Sequence, residues 1–229
     1  MNYFAHAVRH LDRPLFLAGL ALPDWLSVVD RQVRLRAKAI EEHRHRLSAD
    51  EWEIAAGVLQ HLDDDRWFHG TEGFYRVTGL VAAEFRRVLG NDDQWQCGFL
   101  GHVVTELLLD AVLSERHGQL LDLYYERMTL WDGQQIQAVV KLLATRETSR
   151  LADFIGLFIQ ERFLFDYGND TSLLRRLNQV MRRVQLPVLP AVTREALAAS
   201  RQLVRANVDA LLPPIHYPEL ADLSVRYAE

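Results

Sequence analysis

The stretch HVVTELLLD, from His102 to Asp110, places a histidine and two carboxylates four residues apart among apolar side chains. On an α-helix, residues at i, i+4 and i+8 lie along one face, and each step drifts by about 40°. The valines and leucines between them cover most of the remaining surface, so the pattern predicts a helix that is buried on most sides. Glu106 and Asp110 would then be two buried carboxylates one turn apart, which is costly unless their charge is compensated.

A second stretch, HLDDDRWFH, repeats this spacing with His61, Asp65 and His69. Asp63 and Asp64 are expected to be solvated and are therefore not chosen over Asp65. Helical bundles build metal sites from carboxylates and imidazoles on facing helices, and a divalent cation offsets the charge of buried acidic groups. The two stretches together predict that two helices hold one or two divalent metal ions between them. Imidazole and carboxylate ligands suit Mn, Fe or Zn.

Other interpretations stay open for these residues, and for two further candidates near the N-terminus, His6 and Asp24. A histidine on an apolar face is most often simply hydrogen-bonded, and Glu106 could pair with an arginine such as Arg9 or Arg76. His6, in an apolar opening, is equally compatible with a core histidine. Asp24, which follows LALP, could equally be a helix-capping residue.

Composition favours an all-α fold, a single-domain multi-helix bundle. The chain has 229 residues, 49% of them hydrophobic, which is enough for one sizeable core. Only 12 glycines and 7 prolines interrupt long runs of helix formers, and alternation with period two is rare, so we expect seven to nine helices and little or no sheet. Residues 1–190 are predicted to form a helical metal-binding catalytic domain. Residues 191–229 are predicted to add a C-terminal helix and an extended tail.

Local signals fix several helix boundaries. Ser48 and Glu51 are spaced as a capping box. Asp92 or Asp93 is expected to cap the helix that carries His102, and Asp132 or Gly133 to precede another helix. A last helix is predicted from Thr193 to Leu212, after a connector over residues 185–191.

Charge and cysteine usage limit the classes of partner and compartment. The net charge of -5 argues against a general nucleic-acid binder. Arg31, Arg34 and Arg36 lie in a basic stretch that could meet an anionic substrate or partner, although a solvated helix face is the commoner explanation. Cys97 is the only cysteine, so no disulfide framework is expected. No signal peptide and no membrane span of about 20 apolar residues is expected, which favours a cytoplasmic protein without a membrane partner. A homo-oligomer is compatible with the sequence.

The opening MNYFAHAVRHLDRPLFLAGLALPDW resembles the start of the acyl carrier protein phosphodiesterases, which read M-N-[FY]-x-A-H before a glycine and an aspartate. The family next carries an H-x3-D-x3-D helix, and then a helix with two acidic residues four apart. A later tyrosine is followed by Leu-Asn and a methionine. The matching positions here are His6, Gly19, Asp24, His61, Asp65, Glu106, Asp110, Tyr167, Leu177, Asn178 and Met181. His69 stands where the family has an acid, and Leu62 and Asp63 replace its H-R-R arginines.

This resemblance implies a bundle related to the HD-type metal phosphohydrolases, although the sequence has no His-Asp dipeptide. It implies metal-dependent phosphoester hydrolysis, in the family the release of phosphopantetheine from acyl carrier protein, with manganese as the expected metal. The partner would be a phosphorylated small molecule or an acyl carrier protein. His69 and His102 would act as acid or base, or as further ligands. The implied metal ligands are His6, Asp24, His61, Asp65, Glu106 and Asp110.

Other functions compete with this one. Zinc-dependent phospholipases C and related nucleases are also all-helical and use H-x3-D and H-x3-E pairs, which His61 with Asp65 and His102 with Glu106 resemble. Those enzymes are usually secreted and bind zinc through a processed N-terminus. The chain could instead be a non-enzymatic helical interaction module whose polar stripes form buried hydrogen-bond networks. A carboxylate-bridged oxidase ranks last, because the two ligand-bearing stretches lack its Glu-x-x-His spacing.

Overall fold

The computed structural model describes residues 1–218 together with Leu223 and Tyr227, and these residues form helices and turns without any strand. The all-α prediction is therefore confirmed. Nine of the described helices have ten or more residues, which agrees with the expected seven to nine, and three shorter ones are added. They are α1 (Tyr3–Ala7), α2 (Pro14–Val29), α3 (Ala37–His43), α4 (Ala49–Phe68), α5 (Glu72–Leu89), α6 (Cys97–Arg116), α7 (Gly118–Arg127), α8 (Gly133–Leu143), α9 (Leu151–Glu161), α10 (Asp170–Arg183), α11 (Thr193–Ala206) and α12 (Val208–Leu211).

Most helix starts follow from local capping. The side chain of Ser48 accepts a hydrogen bond from the backbone of Glu51, whose carboxylate accepts one from the backbone of Ser48, so the capping box of α4 is confirmed. The side chain of Asp132 caps α8. Asp92 caps a 3-10 turn instead of α6, which begins later, at Cys97. The expected start of that helix was therefore too early.

Helix α6 lies in the core, as its sequence predicts. Leu100, Val104 and Leu108 are fully buried, and the helix packs against α1, α5 and α11. The segment Asp93–Arg116 is long and apolar enough to cross a membrane, so the expectation that no stretch approaches such a span was wrong. However, 67% of its most apolar window is buried inside the fold, which is typical of the core helix of a soluble protein.

Helices α2 and α4 cross in direct backbone contact. A Cβ atom on Gly19 would collide with the carbonyl oxygen of Ile54, and one on Gly57 with that of Phe16. Both positions therefore require glycine for the helices to approach this closely. The crossing fixes the next turns of both helices, which carry Asp24 and His61.

The C-terminal helices pack against the main body. Helix α11 lies against α5, α6 and α10, and α12 lies against α5. The helix predicted from Thr193 to Leu212 begins at Thr193 but is interrupted at Asn207, so its continuity was wrongly predicted. Before it, the connector is held by Asn178, whose side-chain amide accepts from the backbone N–H of Leu189 and donates to its carbonyl. The division at residue 190 stays a prediction.

The first part of the tail is folded back onto the body. Residues 214–216 form a turn, and the buried Tyr217 donates its hydroxyl to the carbonyl oxygen of Ala5. The tail was expected to be extended, and for these residues that expectation was wrong. Its remainder, at 219–222, 224–226 and 228–229, lies outside the described residues. The described tail thus contacts α1, which carries His6.

Candidate metal centre

Two histidines and one carboxylate from α1 and α4 form a buried cluster, here called the inner group: His6, His61 and Asp65. The Nε2 atom of His6 lies 3.4 Å from Oδ1 of Asp65, and that of His61 lies 3.5 Å from Oδ2. One ligand atom from each residue lies within 4.8 Å of the others. Donors bound tetrahedrally to zinc at about 2.0–2.1 Å are separated by about 3.3–3.4 Å. The observed separations therefore fit a metal ion.

The ring of His61 is oriented by α2. Its Nδ1 atom lies 2.8 Å from the carbonyl oxygen of Leu20, which can only accept a hydrogen bond. The proton therefore sits on Nδ1, and in the neutral ring Nε2 directs a lone pair toward Asp65. Metal-bound histidines are held in this manner by a second hydrogen bond.

The ring of His6 is oriented by a second carboxylate. Its Nδ1 atom lies 3.2 Å from Oδ2 of Asp64, while its buried Nε2 makes no hydrogen bond. The rings of His6 and His61 stack with their centroids 4.1 Å apart, and both Nε2 atoms lie near the carboxylate of Asp65. A carboxylate behind a histidine is a common support for a metal ligand.

Asp64 was expected to be solvated, and this was wrong. Its side chain is 1% exposed and accepts hydrogen bonds from Gln60 at 2.9 Å, Trp67 at 3.2 Å and Arg9 at 3.3 Å. Burial raises the pKa of Asp64, but the hydrogen bond and charge of His6 and the charge of Arg9 outweigh burial and hold it below its usual value. Asp64 is therefore an ionised positioning residue that the sequence analysis missed.

Asp24, on α2, is a further carboxylate whose charge interacts with those of His61 and Asp65 in the inner group. Its Oδ2 atom is buried and makes no hydrogen bond. Burial raises the pKa of Asp24 to about 7, while the charge of His61 lowers it and that of Asp65 raises it. An orphaned buried carboxylate oxygen whose charge interacts with those of His61 and Asp65 is compatible with a cation ligand, because such a group costs about 1–3 kcal/mol when it stays unpaired.

A second cluster, here called the outer group, consists of His69, His102 and Glu106. The Nε2 atoms of the two histidines lie 2.8 and 3.0 Å from the same atom, Oε1 of Glu106. Burial raises the pKa of Glu106, but the amino group of Met1 and the two histidines lower it well below its usual range. The hydrogen bond to Glu106 raises the pKa of His102 against the effect of burial.

The two groups are neighbours. The amino nitrogen of Met1 lies 2.7 Å from Oδ1 of Asp65 and 3.6 Å from Oε1 of Glu106. Burial lowers the pKa of this amino group, but the two carboxylates raise it above its usual value. A positive charge therefore already lies between Asp65 and Glu106 and offsets part of their charge.

Asp110, predicted as a ligand, lies in neither group. Its two oxygens accept hydrogen bonds from the side chain of Asn2 at 2.8 Å and from the backbone N–H groups of Phe4 at 3.0 Å and Ala5 at 2.7 Å. Burial raises its pKa to about 7, and the hydrogen bonds from Phe4 and Ala5 oppose that rise. Asp110 therefore holds the first turn of α1, and through it the backbone that carries His6.

The arginines considered as partners of Glu106 pair with other residues. Arg9 pairs with Asp64 and Arg76 donates to Asn207, so neither hydrogen bond nor ion pair joins them to Glu106 among the described residues. The three predicted substrate-binding arginines are exposed and lie between α2 and α3. They are Arg31, Arg34 and Arg36.

No protein-family model, curated protein or solved structure matches this chain. The chemistry of the centre therefore rests on its own residues. Its donors are imidazole nitrogens and carboxylate oxygens, a set that suits Mn, Fe and Zn.

Proposed function

We propose that this protein is a metal-dependent phosphoester hydrolase that holds a divalent ion with His6, His61 and Asp65, and with Asp24 as a further ligand. One observation carries the proposal. Two buried imidazoles have their Nδ1 atoms committed to oxygen acceptors, and both direct Nε2 at one carboxylate.

A hydrogen-bond network without metal, as in an interaction module, explains this arrangement less well. The separations of 3.4 and 3.5 Å between the Nε2 atoms and Asp65 exceed the about 2.7–3.2 Å of good hydrogen bonds. His6 Nε2 and Asp24 Oδ2 are buried without hydrogen-bond partners. A cation would satisfy both atoms and also balance the carboxylates.

A bound divalent ion would polarise a phosphoryl oxygen and lower the pKa of a coordinated water. The protein's own residues shape the approach to it. His6 and His61 are 0% and 3% exposed, whereas Asp65 is 33% exposed, so the inner group opens on the side of Asp65. The outer group is linked to Asp65 through the amino group of Met1, which contacts both Asp65 and Glu106. Its histidines either hold a proton for the leaving oxygen or bind a second cation.

The reaction class and the substrate class come from the resemblance to the acyl carrier protein phosphodiesterases. The relation to the HD-type hydrolases, a phosphorylated small molecule or acyl carrier protein as partner, and guidance of that partner by Arg31, Arg34 and Arg36 belong to the same proposal. The net charge of -5 supports a substrate other than nucleic acid.

The test uses the purified full chain loaded with Mn²⁺ or Zn²⁺, dialysed and analysed for metal by mass spectrometry. We expect bound metal and metal-dependent hydrolysis of p-nitrophenyl phosphate or bis(p-nitrophenyl) phosphate. His61→Gln and Asp65→Asn should weaken metal binding by more than the about 10–100-fold typical for an outer-shell change. Asp63→Asn is the matched control, because Asp63 lies on the same helix, exposed and paired only with Arg66 among the described residues.

Two results would contradict the proposal. Either the wild-type chain takes up neither ion, or His61→Gln and Asp65→Asn bind metal as tightly as Asp63→Asn. Bound metal without turnover of either phosphoester would retain the metal site and reject the hydrolase.

A further inference from the structure

The outer group contains the donors of a second cation site. We infer that His69, His102 and Glu106 bind a second divalent ion beside the one in the inner group. This inference rests on the proposed function, since the second ion would serve the same phosphoester. It assigns the two histidines to metal binding instead of proton transfer.

The donor set and its geometry carry the first step. Two Nε2 atoms approach one carboxylate oxygen at 2.8 and 3.0 Å, and one ligand atom from each residue lies within 4.8 Å of the others. Two histidines and one glutamate are a known three-ligand set of catalytic zinc, which leaves a fourth position open. Both separations lie in the hydrogen-bond range, and opening them by a few tenths of an ångström would give the about 3.3 Å that separates donors bound to zinc.

Packing holds both rings in this orientation. His69 follows the end of α4, His102 lies on α6, and the buried Phe74 of α5 packs against both. The ring centroid of Phe74 lies 4.9 Å from that of His69 and 5.1 Å from that of His102, with interplanar angles of 64° and 84°. The ligands therefore lose little freedom when an ion binds.

Exposure gives the outer group a distinct role. His69 and His102 are 33% and 44% exposed, whereas both histidines of the inner group are buried. A phosphate entering from solvent would therefore meet the outer cation first. Asp65 and Glu106 flank the same amino nitrogen, at 2.7 and 3.6 Å, so the two proposed ions would be neighbours on either side of it. Two-metal sites stabilise the attacking and leaving oxygens of a phosphoester together.

The experiment measures zinc alone, by equilibrium dialysis of the full chain followed by mass spectrometry. Wild type should hold two ions per chain, and the double variant His69→Gln/His102→Gln should hold one. His45→Gln is the matched control, because His45 is an exposed histidine in the 3-10 turn Arg44–Arg46. It should keep both ions. Circular dichroism and thermal unfolding verify that every variant is folded.

The outcomes separate the inference from the proposed function. Equal zinc content in wild type and the double variant overturns the second site, and the inner site stands if that zinc is lost in His61→Gln. One ion that is lost in the double variant but kept in His61→Gln supports the outer site and contradicts the inner one. A wild-type chain without zinc overturns both.

Discussion

Asp64 offers the sharpest test of the inner group, because it is buried behind a proposed ligand and does not itself contact the ion. We predict that Asp64→Asn weakens metal binding while the chain stays folded. The carboxylate accepts from His6 through Oδ2, and from Gln60, Trp67 and Arg9 through Oδ1. An asparagine has only one acceptor oxygen and cannot serve both sides.

Each orientation of the new amide has a cost. If its NH₂ group faces His6, the ring must accept on Nδ1, which moves the proton to Nε2 and removes the lone pair that would bind the ion. If its NH₂ group faces the other side, three donors lose their acceptor, at about 1–3 kcal/mol for each buried group left unpaired. We expect a 10–100-fold loss of affinity, about 1.4–2.7 kcal/mol, as for other residues that orient a metal-bound histidine.

The assay is competition for Zn²⁺ between the protein and a chromophoric chelator of known affinity, at neutral pH. Asp63→Asn is the neighbouring control: it removes the same charge from the same helix, but at a side chain that is 62% exposed. Affinity in Asp64→Asn equal to that of the wild type would refute the reasoning. So would an equal loss in Asp63→Asn, because the effect would then be one of overall charge.

Two further predictions concern stability. Gly19→Ala should destabilise the chain by about 3 kcal/mol or more in urea unfolding, because its Cβ atom would meet backbone at the α2–α4 crossing. Gly79→Ala, in open space on α5, should stabilise by about 0.5–1 kcal/mol, and the reverse order would contradict this account. Burial, and then the charge of Arg9, lower the pKa of His10 from 6.5 to about 4. As the pH falls, His10 therefore takes up a proton in the unfolded chain before it does so in the folded one. The free energy of unfolding of the wild type should fall by up to about 3 kcal/mol between pH 6.5 and pH 4. His10→Gln should lack this component, and parallel pH profiles of unfolding free energy would argue against it.

The sequence predicted the helices well because their signals are local. Capping residues such as Ser48 and Asp132 act within one turn, and the valines and leucines of α6 identify a buried helix whatever packs around it. The break at Asn207, which accepts a hydrogen bond from Arg76 of α5, and the folding back of Tyr217 onto Ala5 of α1 involve contacts with distant helices, which a local pattern does not encode.

The composition of the site was harder to predict, although one signal was available. The buried positions of α4 include Ile54, Val58, His61 and Phe68. With a period of about 3.6 residues, the next buried position after His61 falls between 64 and 65, so Asp64 and Asp65 both border the buried face of the helix. Asp65 meets the imidazoles and Asp64 supports one of them from behind. The periodicity of α4 could therefore have found Asp64.

The spacing of four placed His61, Asp65 and His69 together on one predicted helix face, but the structure separates His69 from the other two. Two steps of about 40° move His69 well away from the direction of His61. His69 also follows the last residue of α4. It therefore meets His102 and Glu106, while His61 and Asp65 meet His6. The sequence identified the ligand-type residues, but only the packing of the helices divides them into two groups.

The two carboxylates of α6, Glu106 and Asp110, are one turn apart and also contact different parts of the centre. This separation explains how the chain positions His6. A helix of five residues has little stability of its own. Asp110 accepts the backbone N–H groups of Phe4 and Ala5, which the first turn of α1 leaves unpaired, while Tyr217 donates to the carbonyl of Ala5. One turn earlier, Glu106 faces the outer group. Helix α6 thus supplies one carboxylate to the proposed outer cation site and another to the backbone that positions His6, a proposed ligand of the inner site.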